Sequence, residues 1–226
     1  MSSSIILMSG GLDSVVTLGV SKEEFNVSLA LTFDYGQKSA QQEIKASRKV
    51  CNHYKIVHKI IKLDWLSAIT QTALVSEALI PEEELGTEDS MKSVWVPNRN
   101  ALFLNIAASF ADSYGYNNIL FGANAQEAQT FSDNTQEFID RINSTFEFST
   151  LVKPKVLAPL INMNKDAIVK IALERNVPLE LVRSCYNSAE SNCGKCESCK
   201  NLKSALVNNN RMDILGRLFD DENIVY

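Results

Sequence analysis

Apolar and polar positions alternate along this chain in two periods. Short apolar runs end at polar or glycine residues, and stretches with helical spacing follow them. Ile5 to Met8 is the first such run. It stops at Ser9-Gly10-Gly11, and a helical pattern continues to about Val20. Val27 to Phe33 is the second, ending at Asp34-Tyr35-Gly36-Gln37, with a helix expected over 39–54. Ile56 to Leu63 reads as a third strand, Leu66 to Leu79 as a helix, and Pro81 to Met91 as an acidic, turn-rich loop. Asn98 to Tyr114 predicts a long helix entered from Pro97. Asn118 to Phe121 predicts a fourth strand, Leu157 to Leu160 a fifth, and Asn164 to Asn176 a further helix. A short helical tail closes the chain. Strands alternating with helices imply parallel βαβ units in an open sheet covered on both faces. Ligands of such sheets bind at the carboxyl ends of the strands, where the polar loops 9–14, 34–37 and 122–133 fall.

Composition narrows the classes. With 226 residues, 45% hydrophobic and 22% charged, the chain has the make-up of a globular domain. A net charge of −5 argues against broad nucleic-acid binding, which needs clustered cations. No run approaches the roughly 18 apolar residues of a membrane span, and the first residues lack a signal-peptide pattern. A cytoplasmic protein with reduced thiols is expected.

Two motifs carry chemistry. Ser9-Gly10-Gly11-Leu12-Asp13-Ser14 joins the first strand to the first helix. Two glycines let backbone approach a ligand, helix-start amides face an anion, and the hydroxyls of Ser9 and Ser14 add donors. Asp13 beside phosphates implies an intervening Mg²⁺. The loop is neither a Walker loop nor a dinucleotide fingerprint. The second motif is Cys185, Cys193, Cys196 and Cys199, a spacing suited to tetrahedral Zn²⁺ in a closed, structural site. An iron–sulfur cluster is the rival occupant. Cys51 reads as a small buried apolar residue. His53 and His58, the only histidines, adjoin neither motif.

The six-residue loop matches the pyrophosphate loop of the ATP pyrophosphatase superfamily. Together with the cysteines, the chain resembles the QueC family, the 7-cyano-7-deazaguanine synthases. The blocks are SGGLDS at 9–14, FDYGQ at 33–37, VPNRN at 96–100, GANAQE at 122–127, APLINMNK at 158–165, SCY at 184–186 and CGKCESC at 193–199. The resemblance implies an α/β Rossmann-like fold of the adenine nucleotide alpha hydrolase kind. Residues 1–180 would form the catalytic domain, and 181–226 a zinc-binding segment packed on it. It further implies that ATP adenylates the carboxylate of 7-carboxy-7-deazaguanine, that ammonia then gives an amide, and that a second ATP-dependent step dehydrates the amide to a nitrile.

By that resemblance Ser9, Gly10, Gly11, Leu12, Asp13 and Ser14 hold ATP, and Asp13, Arg99 and Lys165 are the catalytic candidates. Asp34, Tyr35, Gln37, Glu127, Phe131 and Asp133 are candidates for the flat heterocycle, as stacking rings or as acceptors for its N–H edge. Trp95 is a further candidate wall of a purine pocket. A homodimer is also implied. The stretch GANAQEAQTFSDNT departs from the family's usual GxNxxDYSGYPDCR: Glu127 replaces Asp, Phe131 Tyr, Ser132 Pro and Thr135 a basic residue. Arg183 stands where a tryptophan often precedes SCY. A rewritten acceptor loop opens a second reading, in which the activated carboxylate is joined to a protein amine in an antiphage system of the CBASS or Qat type. A tRNA sulfurtransferase and a non-enzymatic nucleotide-sensing subunit are the remaining alternatives.

Overall fold

The computed structural model describes residues 3–82 and 88–220. Five parallel strands form one sheet in the order β3-β2-β1-β4-β5. The strands are β1 (Ser4–Leu7), β2 (Val27–Asp34), β3 (Val57–Lys62), β4 (Asn118–Leu120) and β5 (Lys155–Leu157). The central strand β1 is buried along its whole length, which explains its unbroken apolar run. The edge strand β3 is mostly exposed, and its lysines lie at an open margin.

Between the strands run α1 (Leu12–Ser21), α2 (Ala40–Tyr54), α3 (Asp64–Ala68), α4 (Glu88–Val94), α5 (Arg99–Tyr114), α6 (Ala125–Ala128) and α7 (Gln136–Ser149). Helices α8 (Lys165–Glu174), α9 (Glu197–Asn208) and α10 (Met212–Leu218) follow β5. Given the strand order, the right-handed rule for parallel crossovers puts α1 and α2 on one face of the sheet and α5 and α7 on the other. Helix α8 packs against α1 and α9. Strand order reverses at β1, between β2 on one side and β4 on the other. A crevice therefore opens beyond the carboxyl ends of β1 and β4.

Four local readings are corrected. The helix expected over 66–79 is helical only as α3. Beyond it, the Ala73 N–H donates to the Ser93 carbonyl (2.7 Å) and the Leu74 carbonyl accepts from Lys38 N–H (2.8 Å), so tertiary partners take the backbone groups a helix would use. Within the acidic stretch 81–91, residues 83–87 lie outside those described, and α4 begins at Glu88. The fifth strand lies two residues earlier than expected and ends ahead of Pro159, which has no N–H to extend a ladder. Helix α7 had no counterpart in the expected elements. Its buried residues Ile139, Ile142 and Phe146 share one face, and the Thr135 hydroxyl caps it by accepting from Phe138 N–H (3.2 Å).

Among the described residues no helix is long and apolar enough to cross a membrane.

Candidate active site and metal centre

The glycine loop is shaped by its own hydroxyls and by close backbone contact. Ser14 Oγ donates to the Gly11 carbonyl (3.1 Å) and accepts from Ser9 N–H (3.3 Å), while Gly11 N–H donates to Ser9 Oγ (3.2 Å). Gly10 takes φ +78°, and a Cβ there would lie 2.9 Å from Ala46 Cβ on α2. Only glycine meets both demands. Gly11 caps α1 without a side-chain hydrogen bond, so the first-turn amides stay open to an anion. Leu12 is 3% exposed and belongs to the core, which leaves its backbone as its contribution to the loop. Opposite, at the end of β4, a Cβ on Gly122 would lie 3.0 Å from Asp13 C and Ser14 N. The absence of a side chain at 122 is what lets the β4 end meet the loop.

Lys165, the first residue of α8, sits between two carboxylates. Its Nζ donates to Asp13 Oδ2 (2.7 Å) and Glu127 Oε1 (2.6 Å), and its side chain is 9% exposed. The neighbouring Asn164 caps α8 by accepting from Ala167 N–H (2.9 Å). Burial disfavours the ammonium, but Asp13 and Glu127 outweigh it and raise the Lys165 pKa. Burial likewise works against the Glu127 carboxylate, yet the charge of Lys165 and its hydrogen bond hold it below its usual range. Asp13 goes the other way, pushed up by burial beyond what Lys165 offsets. Its Oδ1 is buried with no partner. Glu127 is aimed by Asn124, fully buried, whose Oδ1 accepts from the N–H groups of Gln126 (3.1 Å) and Glu127 (3.0 Å).

Arg99 comes from the other side of the crevice. Asn98, in the left-handed region at φ 57°, turns the chain into α5, a conformation asparagine tolerates better than most residues. The Arg99 guanidinium donates to Tyr35 Oη (3.4 Å) and Asn100 Oδ1 (3.3 Å). Burial opposes its charge, while Tyr35 and Asp133 support it, and its pKa is raised. Asp133 is itself shifted up by burial, with Arg99 opposing. Tyr35 packs tilted on Phe103 at 5.7 Å. Trp95 and Phe131 lie nearly parallel, 16° apart, with ring centroids at 5.9 Å. All these groups line one cleft of about 270 Å³. Open amides, two cations and near-parallel aromatic rings suit a polyanion joined to a flat ring system.

Gly10 of the loop and two of the heterocycle candidates, Asp34 and Gln37, stand outside the cleft lining. Asp34 Oδ1 accepts from Gly36 N–H (3.3 Å) within its own turn. Gln37 is buried, accepting from Tyr35 N–H (3.0 Å) and donating to the Phe33 carbonyl (3.0 Å) and Glu43 Oε2 (2.9 Å). Both side chains shape the β2–α2 turn. Glu43 itself lines the cleft and was not anticipated. Burial pushes its carboxyl up, against hydrogen bonds from Ser39 and Gln37. Gly122 and Asn124 were legible only as members of GANAQE.

The departing positions divide by role. Thr135 is the α7 cap. Arg183 donates from its guanidinium to the carbonyls of Asn187 (2.9 Å), Ala189 (2.7 Å) and Glu190 (2.9 Å), and from its backbone N–H to the Gly10 carbonyl (2.7 Å). It thus ties the loop between the first two cysteines of the cluster to the glycine loop. Arg183, Ser184, Tyr186 and Glu197 bring the C-terminal segment into the cleft wall.

Cys185, Cys193, Cys196 and Cys199 place their sulfurs within 4.8 Å of one another, with Cys193 Sγ 3.9 Å from Cys199 Sγ. A tetrahedron with bonds of about 2.3 Å has its corners about 3.8 Å apart. Backbone N–H groups of Asn187 and Cys193 point at Cys185 Sγ, and that of Cys196 at Cys193 Sγ, each at 3.4 Å. Such donors stabilise thiolates. The four cysteines are positioned to hold a metal ion, and the donor set fits one.

The family model described as "Queuosine biosynthesis protein QueC" matches residues 3–210. A protein named 7-cyano-7-deazaguanine synthase from Methanosarcina mazei is 47% identical over 215 residues, covering 90% of this chain and 93% of the relative. One of the same name from Carboxydothermus hydrogenoformans is 44% identical over 211 residues, covering 91% and 98%. A third, from Methanosphaera stadtmanae, is 38% identical over 216 residues, covering 92% and 95%.

Proposed function

The chain belongs to the QueC family, and from that premise we propose that it is an ATP-dependent 7-cyano-7-deazaguanine synthase. The observation that carries this reading is the convergence of the open α1 amides, Lys165 and Arg99 on one cleft with aromatic walls. A carboxylate is a poor electrophile because oxide would have to leave. Its oxygen attacks the α-phosphorus of ATP, the bond to pyrophosphate breaks, and an acyl-adenylate forms. Ammonia then attacks the acyl carbon, AMP departs, and loss of a proton leaves the amide. A second ATP adenylates the amide oxygen. Departure of that oxygen with AMP and loss of the remaining N–H protons give the nitrile.

In this reading the residues of the 9–14 loop cradle the phosphates through backbone amides and the Ser9 and Ser14 hydroxyls. Lys165 and Arg99 offset charge on the departing pyrophosphate, a contribution that strengthens in a water-poor cleft. Asp13, whose Oδ1 has no protein partner, is the group that would hold Mg²⁺, which supplies further charge neutralisation. Tyr35, Phe131 and Trp95 are the flat surfaces for the two ring systems. Asp133 is the acceptor assigned to the deazaguanine edge. The four cysteines would hold Zn²⁺, closed to substrate and structural. Residues 1–180 act as the ATP pyrophosphatase domain, and the segment that starts at 181 completes its cleft through Arg183, Ser184, Tyr186 and Glu197.

The test is mass spectrometry of purified protein with ATP, Mg²⁺, 7-carboxy-7-deazaguanine and ammonia. Two AMP released per nitrile formed is expected. No AMP would refute the reading. AMP with a deazaguanine-sized mass added to protein would instead establish transfer to a protein amine.

A further inference from the structure

Glu127 was a candidate for reading the deazaguanine edge, but its position points to different work. One of its oxygens is 2.6 Å from Lys165 Nζ, the same ammonium that donates to Asp13 Oδ2 at 2.7 Å. The Lys165 side chain is 9% exposed and that of Glu127 39%, so a largely buried ammonium is held by a more exposed carboxylate. The glutamate is itself set by a rigid support, since fully buried Asn124 accepts from its N–H and starts α6. Asp13, the other partner, lies in the first turn of α1 among the amides that face the phosphates, and any cation arriving with those phosphates competes for it. A lysine has four rotatable side-chain bonds, and one competed-for contact would leave its head free to leave the phosphate end.

We propose that Glu127 is a positioning residue that holds the Lys165 ammonium at the phosphate end of the cleft and does not read the acceptor's base. The kinetic consequence rests on the ATP-cleaving reaction proposed above, whereas the tether itself does not.

The experiment uses the whole chain and compares wild type with Glu127→Gln and Glu127→Asp. In steady-state assays of AMP release, Glu127→Gln lowers kcat about tenfold or more, because a charge-assisted contact to a transition-state cation is lost. The KM for 7-carboxy-7-deazaguanine stays within about twofold, the mark of an interaction felt in the transition state and not in substrate binding. Glu127→Asp keeps the charge and recovers most of kcat. The second readout needs no substrate: acetylation of Lys165 by an amine-directed reagent, followed by peptide mass spectrometry. Losing one carboxylate neighbour makes the free amine more available, so Lys165 labels faster in Glu127→Gln. Exposed Lys170 labels equally in all three proteins and reports that the fold is intact. A rise in KM for the deazaguanine at unchanged kcat, or an unchanged Lys165 labelling rate, overturns the proposal. If wild type itself releases no AMP, the synthase reading fails, and the labelling comparison still decides the tether.

Discussion

Gly122→Ala isolates the contact between the end of β4 and the glycine loop. The added methyl carbon would lie 3.0 Å from both Asp13 C and Ser14 N, and 3.3 Å from Asp13 Cβ, where ordinary contact begins at 3.4 Å. Two of these neighbours are backbone in the first turn of α1, so relief requires the loop to shift by a few tenths of an ångström. Overpacking of this kind costs about 1–3 kcal/mol. Part of it appears as a lower urea midpoint. The remainder appears as displaced amides at the phosphate site, where a 1 Å misplacement is worth about a hundredfold in rate. A shift of a few tenths corresponds to about a tenfold loss of kcat/KM for ATP. Gly216→Ala is the control, since nothing lies within 4 Å of its Cβ position inside α10. It should stabilise by about 0.5–1 kcal/mol with kinetics unchanged. The assays are urea titration and AMP release over a range of ATP concentrations. A Gly122→Ala protein that is less stable but has wild-type ATP kinetics would refute the claim that this contact sets the nucleotide loop.

Thr135→Ala removes the α7 cap and should cost about 1 kcal/mol in urea unfolding. Its KM for the deazaguanine should be unchanged, and a selective rise would instead make Thr135 a substrate contact. Chelation, or Cys199→Ala, should remove one zinc per chain by elemental analysis and open the 185–199 loop to trypsin. A chelated protein with unchanged proteolysis would rule out a structural metal. His58, hydrogen-bonded to Thr32 Oγ1 at 2.8 Å, has its pKa lowered by burial, with Arg48 adding to the effect. Below the unfolded value of about 6.5 the unfolded chain binds the proton more readily than the fold. Stability should therefore fall as pH drops from 7 toward the folded pKa, and His58→Gln should flatten that slope. An unchanged slope would assign the pH dependence to other groups.

What could be read along the chain were features whose cause is local. The strand-to-helix turn at 9–14 announces itself because glycines and hydroxyls serve their own segment. The cysteine cluster is legible because Cys193, Cys196 and Cys199 are brought together by one turn and one helix start. The burial of β1 shows as an uninterrupted apolar run. Helix α7 carries ordinary local signals too, its Thr135 cap and its Ile139–Ile142–Phe146 face, although the expected elements did not include it. The expected helix over 66–79 failed for the opposite reason, because Ala73 and Leu74 take hydrogen-bond partners from distant segments.

The alternating pattern, the glycine loop and the four cysteines were therefore determined by the sequence by itself. The working geometry of the cleft was decided only by tertiary structure. Lys165 meets Asp13 across 152 positions and Glu127 across 38. Arg183 closes on Gly10 from the far end of the chain. Asp34 and Gln37, which flank Tyr35 and Gly36 in sequence, turn out to serve the loop that presents Tyr35. The physical reason is the strand order: with β1 between β2 and β4, the carboxyl ends that carry Asp13 and Glu127 become neighbours. No periodicity along one segment encodes which strand will lie beside another.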